Sequence, residues 1–269
     1  MTTLRVVPRS PVLRRYVRTI AYNEAVLPFA LERIMPTAGV DLMLNLHTDE
    51  FRTYHSDDLR DVRQTPGAIL GGPHATSTVI DTMNMRCVVS VMFRTGAGLP
   101  FFGLPMSEVR DQLVPLDDLW NGTASAMRER VMDAPTPDEK LRVVECVLLE
   151  QVREREADHS IVCAASALGG GATVGAVTDH TGMSPKRFVR TFRAHIGVAP
   201  KRFARIQRLQ RLLRSLGPRP EIDWARSAVE QGYYDQSHLV NDFRELTGIT
   251  PTAYERRSAD AHNHVPVAS

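Results

Sequence analysis

Cysteine is scarce: Cys87, Cys146 and Cys163 are the three in 269 residues. They are odd in number and far apart, which excludes a disulfide framework and any metal-binding cysteine spacing. They read as buried, reduced thiols of an intracellular chain. Long apolar runs are missing too. No segment reaches the roughly 18 apolar residues that a membrane helix needs. The stretch MTTLRVVPRSPVLRRYVRTI holds arginines but no continuous apolar core, so it is not expected to be a secretory signal. A soluble, cytoplasmic protein without membrane contact is expected. The sequence also lacks a Gly-x-Ser-x-Gly elbow and a phosphate loop, and the histidines of its strand-rich stretch form no His-x-His pair. Gly169-Gly170-Gly171 stands alone and reads as a flexible entry to a helix. His47, Asp49, Glu50, His55 and His74 are the ligands a strand-rich metal site would draw on. They give a metal-dependent enzyme domain as the alternative reading; the expectation is no catalytic residue, no metal and no cofactor.

What is present is an uneven distribution of charge. The whole chain carries a formal +2. Residues 1–159 hold 18 Lys and Arg against 22 Asp and Glu, whereas residues 160–257 hold 15 against 8. Such asymmetry points to an anionic partner for the second half.

The same division appears in the apolar pattern. Residues 31–93 read mainly as strands, with short apolar runs at 40–46 and 88–93. Thr65-Pro66-Gly67 and Gly71-Gly72-Pro73 mark turns between them. Several short strands at this spacing predict a small barrel or sandwich. Helical periodicity follows: a helix start at Leu104–Val109, then helices over 119–132 and 137–155. Leu141, Val144, Leu148 and Val152 form one stripe, to pack on the sheet or on a partner subunit. Residues 154–159 are charged and read as a linker. Residues 160–257 read as wholly helical, and 258–269, with His262 and His264, as a disordered, solvated tail. The predicted organisation is therefore α+β with two domains, 1–156 and 160–257, and the tail.

Two stretches of the second domain match at an offset of 51 residues. Ser184 pairs with Asp235, Phe188 with Leu239, Phe192 with Phe243, Gly197 with Gly248, Pro200 with Pro251, and Phe203 with Tyr254. One supersecondary unit is used twice. Ser184 and Asp235 suit helix N-caps, with Pro185 at the first helical position. Phe188/Phe192 and Leu239/Phe243 share a helix face. Gly197 and Gly248 suit helix ends, and the prolines bar continuation. A shorter helix and a glycine precede each cap: Thr173–His180 before Gly182, and Trp224–Gln231 before Gly232. Helix, glycine turn, second helix is the helix-turn-helix plan.

Charge favours that plan over an ordinary helical hairpin. From Ser184 to Ser215 there are ten Lys and Arg and no acid. A run of one sign raises a field that suits an anion such as DNA. Within helix 200–216 the arginines wind around the axis, so some are expected to pair with acids of the first domain.

The segment Ile161–Arg257 resembles the AraC/XylS family of bacterial transcription regulators. The match is carried by Gly232-Tyr233-Tyr234-Asp235-Gln236-Ser237-His238-Leu239-Val240-Asn241-Asp242-Phe243-Arg244 and by Thr247-Gly248-Ile249-Thr250-Pro251. The resemblance implies two helix-turn-helix units joined by a long helix, each placing a recognition helix in successive major-groove segments. Thr178, Leu212, Ser227 and Tyr233 depart from the family's usual Ala, Ala, apolar residue and Phe. Residues 31–149 resemble the sensor domain of an uncharacterised branch of that family, through Met35-Pro36, Gly71-Gly72-Pro73-His74, Phe102-Gly103-Leu104-Pro105 and Pro115–Trp120. That implies a cupin-like β-barrel. Double-stranded DNA, a small-molecule effector, a second copy of the chain and RNA polymerase are the partners implied; an effector-independent architectural DNA binder is the other alternative.

Base-reading side chains come from the first turns and the exposed face of each recognition helix. In the first unit these are Ser184, Lys186, Arg187, Val189 and Arg190. Lys186 and Arg190 suit guanine, and Val189 a thymine methyl. In the second they are Gln236, Ser237, His238, Val240 and Asn241, of which Gln236 and Asn241 suit adenine. Arg193, Lys201, Arg202 and Arg244 are expected on phosphates. Asp242 needs a cation, from Arg244 or another helix.

Overall fold

The computed structural model describes residues 2–54, 59–153, 158–216, 222–258 and 261–267. Short alternating segments form strands β1 (Thr2–Val6), β2 (Val17–Glu24), β3 (Leu31–Ile34), β4 (Asp41–Asn45), β5 (Glu50–Tyr54), β6 (Val62–Pro66), β7 (Ala68–Gly71), β8 (Thr78–Asp81), β9 (Cys87–Phe93), β10 (Leu113–Pro115) and β11 (His264–Val267). They pair antiparallel in two sheets, ordered β1-β2-β9-β4-β7-β10 and β11-β3-β8-β5-β6. The barrel expected from the resemblance does not close. β1 and β10 end one sheet, and β11 and β6 end the other, leaving two open sheets.

Cross-strand register explains the core. Leu42 lies opposite both Leu70 and Val91. All three are fully buried on the sheet face covered by helices. Those helices are α1 (Pro11–Arg14), α2 (Leu99–Phe102), α3 (Asp117–Trp120), α4 (Thr123–Asp133) and α5 (Pro137–Gln151). Thr136 caps α5 by accepting from the Glu139 amide. Leu141, Val144 and Leu148 pack inward with Met127 and Val131 of α4, so this stripe serves the chain's own core and not a partner. Leu104–Val109 form turns instead of a helix start. The amide of Met106 donates 2.8 Å to Ala194 O in the second half of the chain, a bond that a helix there would compete for.

Asp41 begins β4 against Gly71 and Met92. A Cβ at Gly71 would collide with its carboxylate, so glycine makes the room. Burial pushes the Asp41 carboxyl up to about 7. An acid raised in the folded state holds its proton where the unfolded chain has lost it. Stability is therefore lost as pH rises from about 4 to about 7, and the loss is complete above 7. Asp41→Asn is expected to flatten the stability–pH curve and to stabilise at pH 8 by on the order of 2 kcal/mol. Urea melts at pH 5 and pH 8 check this. An equal effect at both would refute it.

The described residues after 257 are not a solvated end. His264–Val267 add β11 to the edge of β3, with Val265 opposite Arg33 and buried. Glu32 of β3 is 2% exposed and holds both the Arg257 guanidinium at 3.0 Å and the His264 ring at 2.8 Å. Pro266 is tolerated because β11 is an edge strand. The cysteines are free, as expected, but Cys146 and Cys163 are exposed where burial was expected. Of the linker reading, 154–157 lie outside the described residues. No helix among the described residues is long and apolar enough to cross a membrane.

Between Asp158 and Ala253 the described residues form helices α6 (His159–Gly169), α7 (Val174–Thr181), α8 (Pro185–Ile196), α9 (Pro200–Ser215), α10 (Trp224–Glu230) and α11 (Gln236–Thr247), then a 3₁₀ turn at Pro251–Ala253. Their apolar cluster also takes in Met35, Ala38, Ala75 and Val265, so residues outside the helices help to close this second core.

Candidate nucleic-acid interface

The offset of 51 residues returns as geometry. Ser184 accepts from the Arg187 amide at 3.4 Å, and Asp235 from the His238 amide at 2.7 Å. Thr173 and Asp223 cap α7 and α10 in the same way. Gly182 and Gly232, at φ 65° and 76°, make the two turns; Gly197 and Gly248, at 90° and 74°, end the recognition helices. Phe192 meets Phe203 edge-on at 5.5 Å, and Phe243 meets Tyr254 edge-on at 6.0 Å. Each unit therefore consists of a short helix, a left-handed turn and a second helix pinned from below by its own aromatic pair.

Pinning from below leaves the polar side open. Phe188, Phe192 and Ile196 are buried on α8; Ser184, Lys186, Arg187, Val189 and Arg190 are exposed. On α11, Leu239, Phe243 and Leu246 are buried, while Gln236, Ser237, His238 and Asn241 are exposed and Val240 is half-buried. Arg193, Lys201 and Arg244 are exposed too. Arg202 is not in that position: it pairs with Glu245, and its guanidinium donates 3.0 Å to Ala75 O.

Between the units, α9 carries the arginine row. Arg205 is held by two acids of α11, donating 2.5 Å to Asp242 and 3.0 Å to Glu245. These arginines thus pair within the helical part, not with acids of the strand-rich part. Hydrogen bonding from Arg205, then from Arg202, holds the Glu245 carboxyl down at about 2. Arg208 lies over the Tyr233 ring at 4.9 Å. Thr178 is accommodated in the core by donating its hydroxyl 2.7 Å to Val174 O. Gly169-Gly170-Gly171 is a helix stop and not a flexible entry: the amides of 170, 171 and 172 bond back to Ser166, Leu168 and Ala167 of α6.

One exposed side chain escaped the sequence reading. Tyr234 stands immediately before the α11 cap and is 90% exposed, while its neighbour Tyr233 fills the core. The Tyr234 amide donates 3.2 Å to Nδ1 of His238. Nδ1 is the acceptor in this bond, which leaves Nε2 as the ring's hydrogen-bearing nitrogen. The doubled tyrosine after Gly232 was the signal, since a glycine turn needs one aromatic beneath it and not two.

The candidate metal ligands do not assemble. His47 and Asp49 are exposed, and Asp49 faces Arg128 at 3.3 Å. Glu50 pairs with Arg52 at 2.5 Å, and His55 lies outside the described residues. Among the described residues no group of three or more His, Cys, Asp or Glu is placed to hold a metal ion.

Residues 177–257 match the family described as a helix-turn-helix domain, and residues 5–115 match a domain of unknown function, DUF6597. The carboxyl-terminal part of the chain is an AraC-type helix-turn-helix domain. No curated protein matches the chain. Among solved structures the chain is similar to ToxT from Vibrio cholerae O395, at 9% identity over 87% of this chain and 95% of that one, with a TM-score of 0.44. It is similar also to unsaturated fatty acid-bound ToxT from strain SCE256, at 9% identity over 94% of each chain, with a TM-score of 0.44.

Proposed function

We propose that the protein is a sequence-specific transcription regulator that reads adjacent major-groove segments with α8 and α11. The observation that carries this reading is the pair of equivalent helices, each capped, stopped and pinned alike, each with its polar side exposed. The field of Lys186, Arg187, Arg190 and Arg193 draws α8 onto the duplex. Lys186 and Arg190 offer donors to guanine; Gln236 and Asn241 offer donor and acceptor to adenine. Lys201 and Arg244 position the domain on phosphates. Arg202 is left out of this surface because its guanidinium is engaged by Glu245 and Ala75. The strand-rich part is read as a sensor for a small-molecule effector. The protein works as a homodimer alongside RNA polymerase, in the cytoplasm where the chromosome lies. The domain boundaries proposed are 1–156 and 160–257.

Purified protein would be used to select fragments from genomic DNA, and each would then be titrated across a salt series. A recurring site is expected, bound about 10–100-fold less tightly by Arg190→Ala, with relaxed preference at one base. Weak binding indifferent to sequence, unaltered by that substitution, would overturn the reading.

A further inference from the structure

One short loop of the strand-rich part, residues 72–77 between β7 and β8, touches the far ends of both recognition helices. At its start, Pro73 lies under Gly197, the residue that stops α8. A Cβ on Gly197 would come within 3.0 Å of Pro73 Cβ and 2.9 Å of Met106 O, and nearer still to Pro73 Cγ. Beside it the Met106 amide donates 2.8 Å to Ala194 O in the last turn of α8. In the middle, Ala75 O accepts from Arg202 at the start of α9. At its end, the Ser77 amide donates 2.9 Å to Leu246 O, and the Ser77 hydroxyl 2.7 Å to Thr247 O, both in the last turn of α11. Arg33 of β3 adds a second donor to Thr247 O, at 3.2 Å, and bonds the Ser77 hydroxyl at 3.1 Å.

The carbonyls of a helix's last turn have no partner inside the helix and must find donors elsewhere. For α11 those donors come from Ser77 and Arg33; for α8 one comes from Met106, whose turn runs on to the residues that brace the loop. The loop is itself braced: Asp111 accepts from the Ala75 amide at 2.7 Å, and the Gly72 amide donates 3.0 Å to Gln112 O. Hydrogen bonds tolerate only a few tenths of an ångström. A body that holds the end of each recognition helix therefore fixes their separation and their relative angle.

We propose that the 72–77 loop, with Arg33, is the gauge that sets the spacing of the two DNA half-sites this protein accepts. The inference rests on the DNA reading above and deepens it: Pro73, Ser77 and Arg33 are positioning residues that choose among operators without meeting DNA. Each base pair inserted between half-sites moves one half by about 3.4 Å and turns it by about 35°. Two helices free to swivel on α9 would absorb such a change. Two helices tied to one loop do not.

The test uses the full chain and a site selected from a random DNA pool, then the same site with one or two base pairs added or removed between its halves. Wild type is expected to lose about tenfold or more in affinity for each base pair of change. Arg33→Ala/Ser77→Ala is expected to bind the best site within about threefold of wild type yet to tolerate one base pair either way within about threefold. Ser77→Thr with Arg33 intact keeps both donors and should restore the narrow profile. Pro73→Ala, which loosens the α8 end alone, is expected to broaden it as well. That variant decides the matter if the double variant does not melt cooperatively. A loosened variant with the wild-type spacing profile, or one weakened equally at every spacing, overturns the proposal. A wild type that selects no site at all overturns the DNA reading, and the gauge with it.

Discussion

Arg205→Ala is expected to destabilise the protein by about 3–5 kcal/mol, which is the usual cost of stripping one partner from a buried ion pair. Asp242 is 3% exposed, and Arg205 reaches it at 2.5 Å. Without the guanidinium a carboxylate is left inside the α9–α11 contact, and the second recognition helix loses its tie to the first unit. Glu245 does not replace it, being an acid itself. The test of cause is the double substitution Arg205→Leu/Asp242→Leu, expected to recover much of the loss because it removes both charges. A single-variant loss below about 1 kcal/mol in urea unfolding would show that the pair is not buried in effect. The pH profile gives a second check. Glu245 is held down at about 2, mainly by Arg205. A depressed acid contributes stability above its unfolded value, and that contribution is lost as pH falls from about 4.3 to about 2. Arg205→Ala should show a shallower acid-side decline, with Arg202 alone left to hold Glu245 down.

The two recognition helices should fail in different ways. Lys186→Ala/Arg187→Ala/Arg190→Ala is expected to weaken binding to the best site by about 100-fold to 10,000-fold. The dependence of log affinity on log salt should become shallower by roughly 2, because fewer counterions are released. Gln236→Ala/Asn241→Ala is expected to cost about 10–100-fold on the same site with an unchanged salt slope, since neither side chain is charged. Titrations at three salt concentrations separate the cases. Equal slope changes for the two variants would mean that electrostatic affinity does not reside on α8.

The repeat was open to reading because it is local. Ser184 and Asp235 each cap an amide three residues on, Gly197 and Gly248 each end the helix they follow, and the ring pairs Phe192–Phe203 and Phe243–Tyr254 each lie 11 residues apart. Type and spacing are enough for such features. What lay hidden is long-range. Nothing in Arg205 names Asp242 as its partner, or in Ser77 the end of α11. β1 and β2 escaped because arginines interrupt their apolar pattern, and β11 because four residues with a proline carry little pattern at all. The stripe on α5 was legible as a stripe, but not what covers it. Arg202 shows the same limit: charge and position suggested phosphate, and a neighbouring Glu245 together with a distant carbonyl took it first.

The pairing of β11 with β3 orders events in time. Glu32 emerges from the ribosome more than two hundred residues before Arg257 and His264, the groups that neutralise it. At about 5–20 residues per second that is a wait of roughly 10–45 seconds. Through that interval the β3 edge is unpaired, and an edge of that kind recruits strands from other chains. A product cut short anywhere between α5 and residue 257 keeps the open edge and the unneutralised carboxylate together. Such fragments carry an edge open to pairing with other chains, and so an aggregation hazard that the complete chain closes with its own last strand.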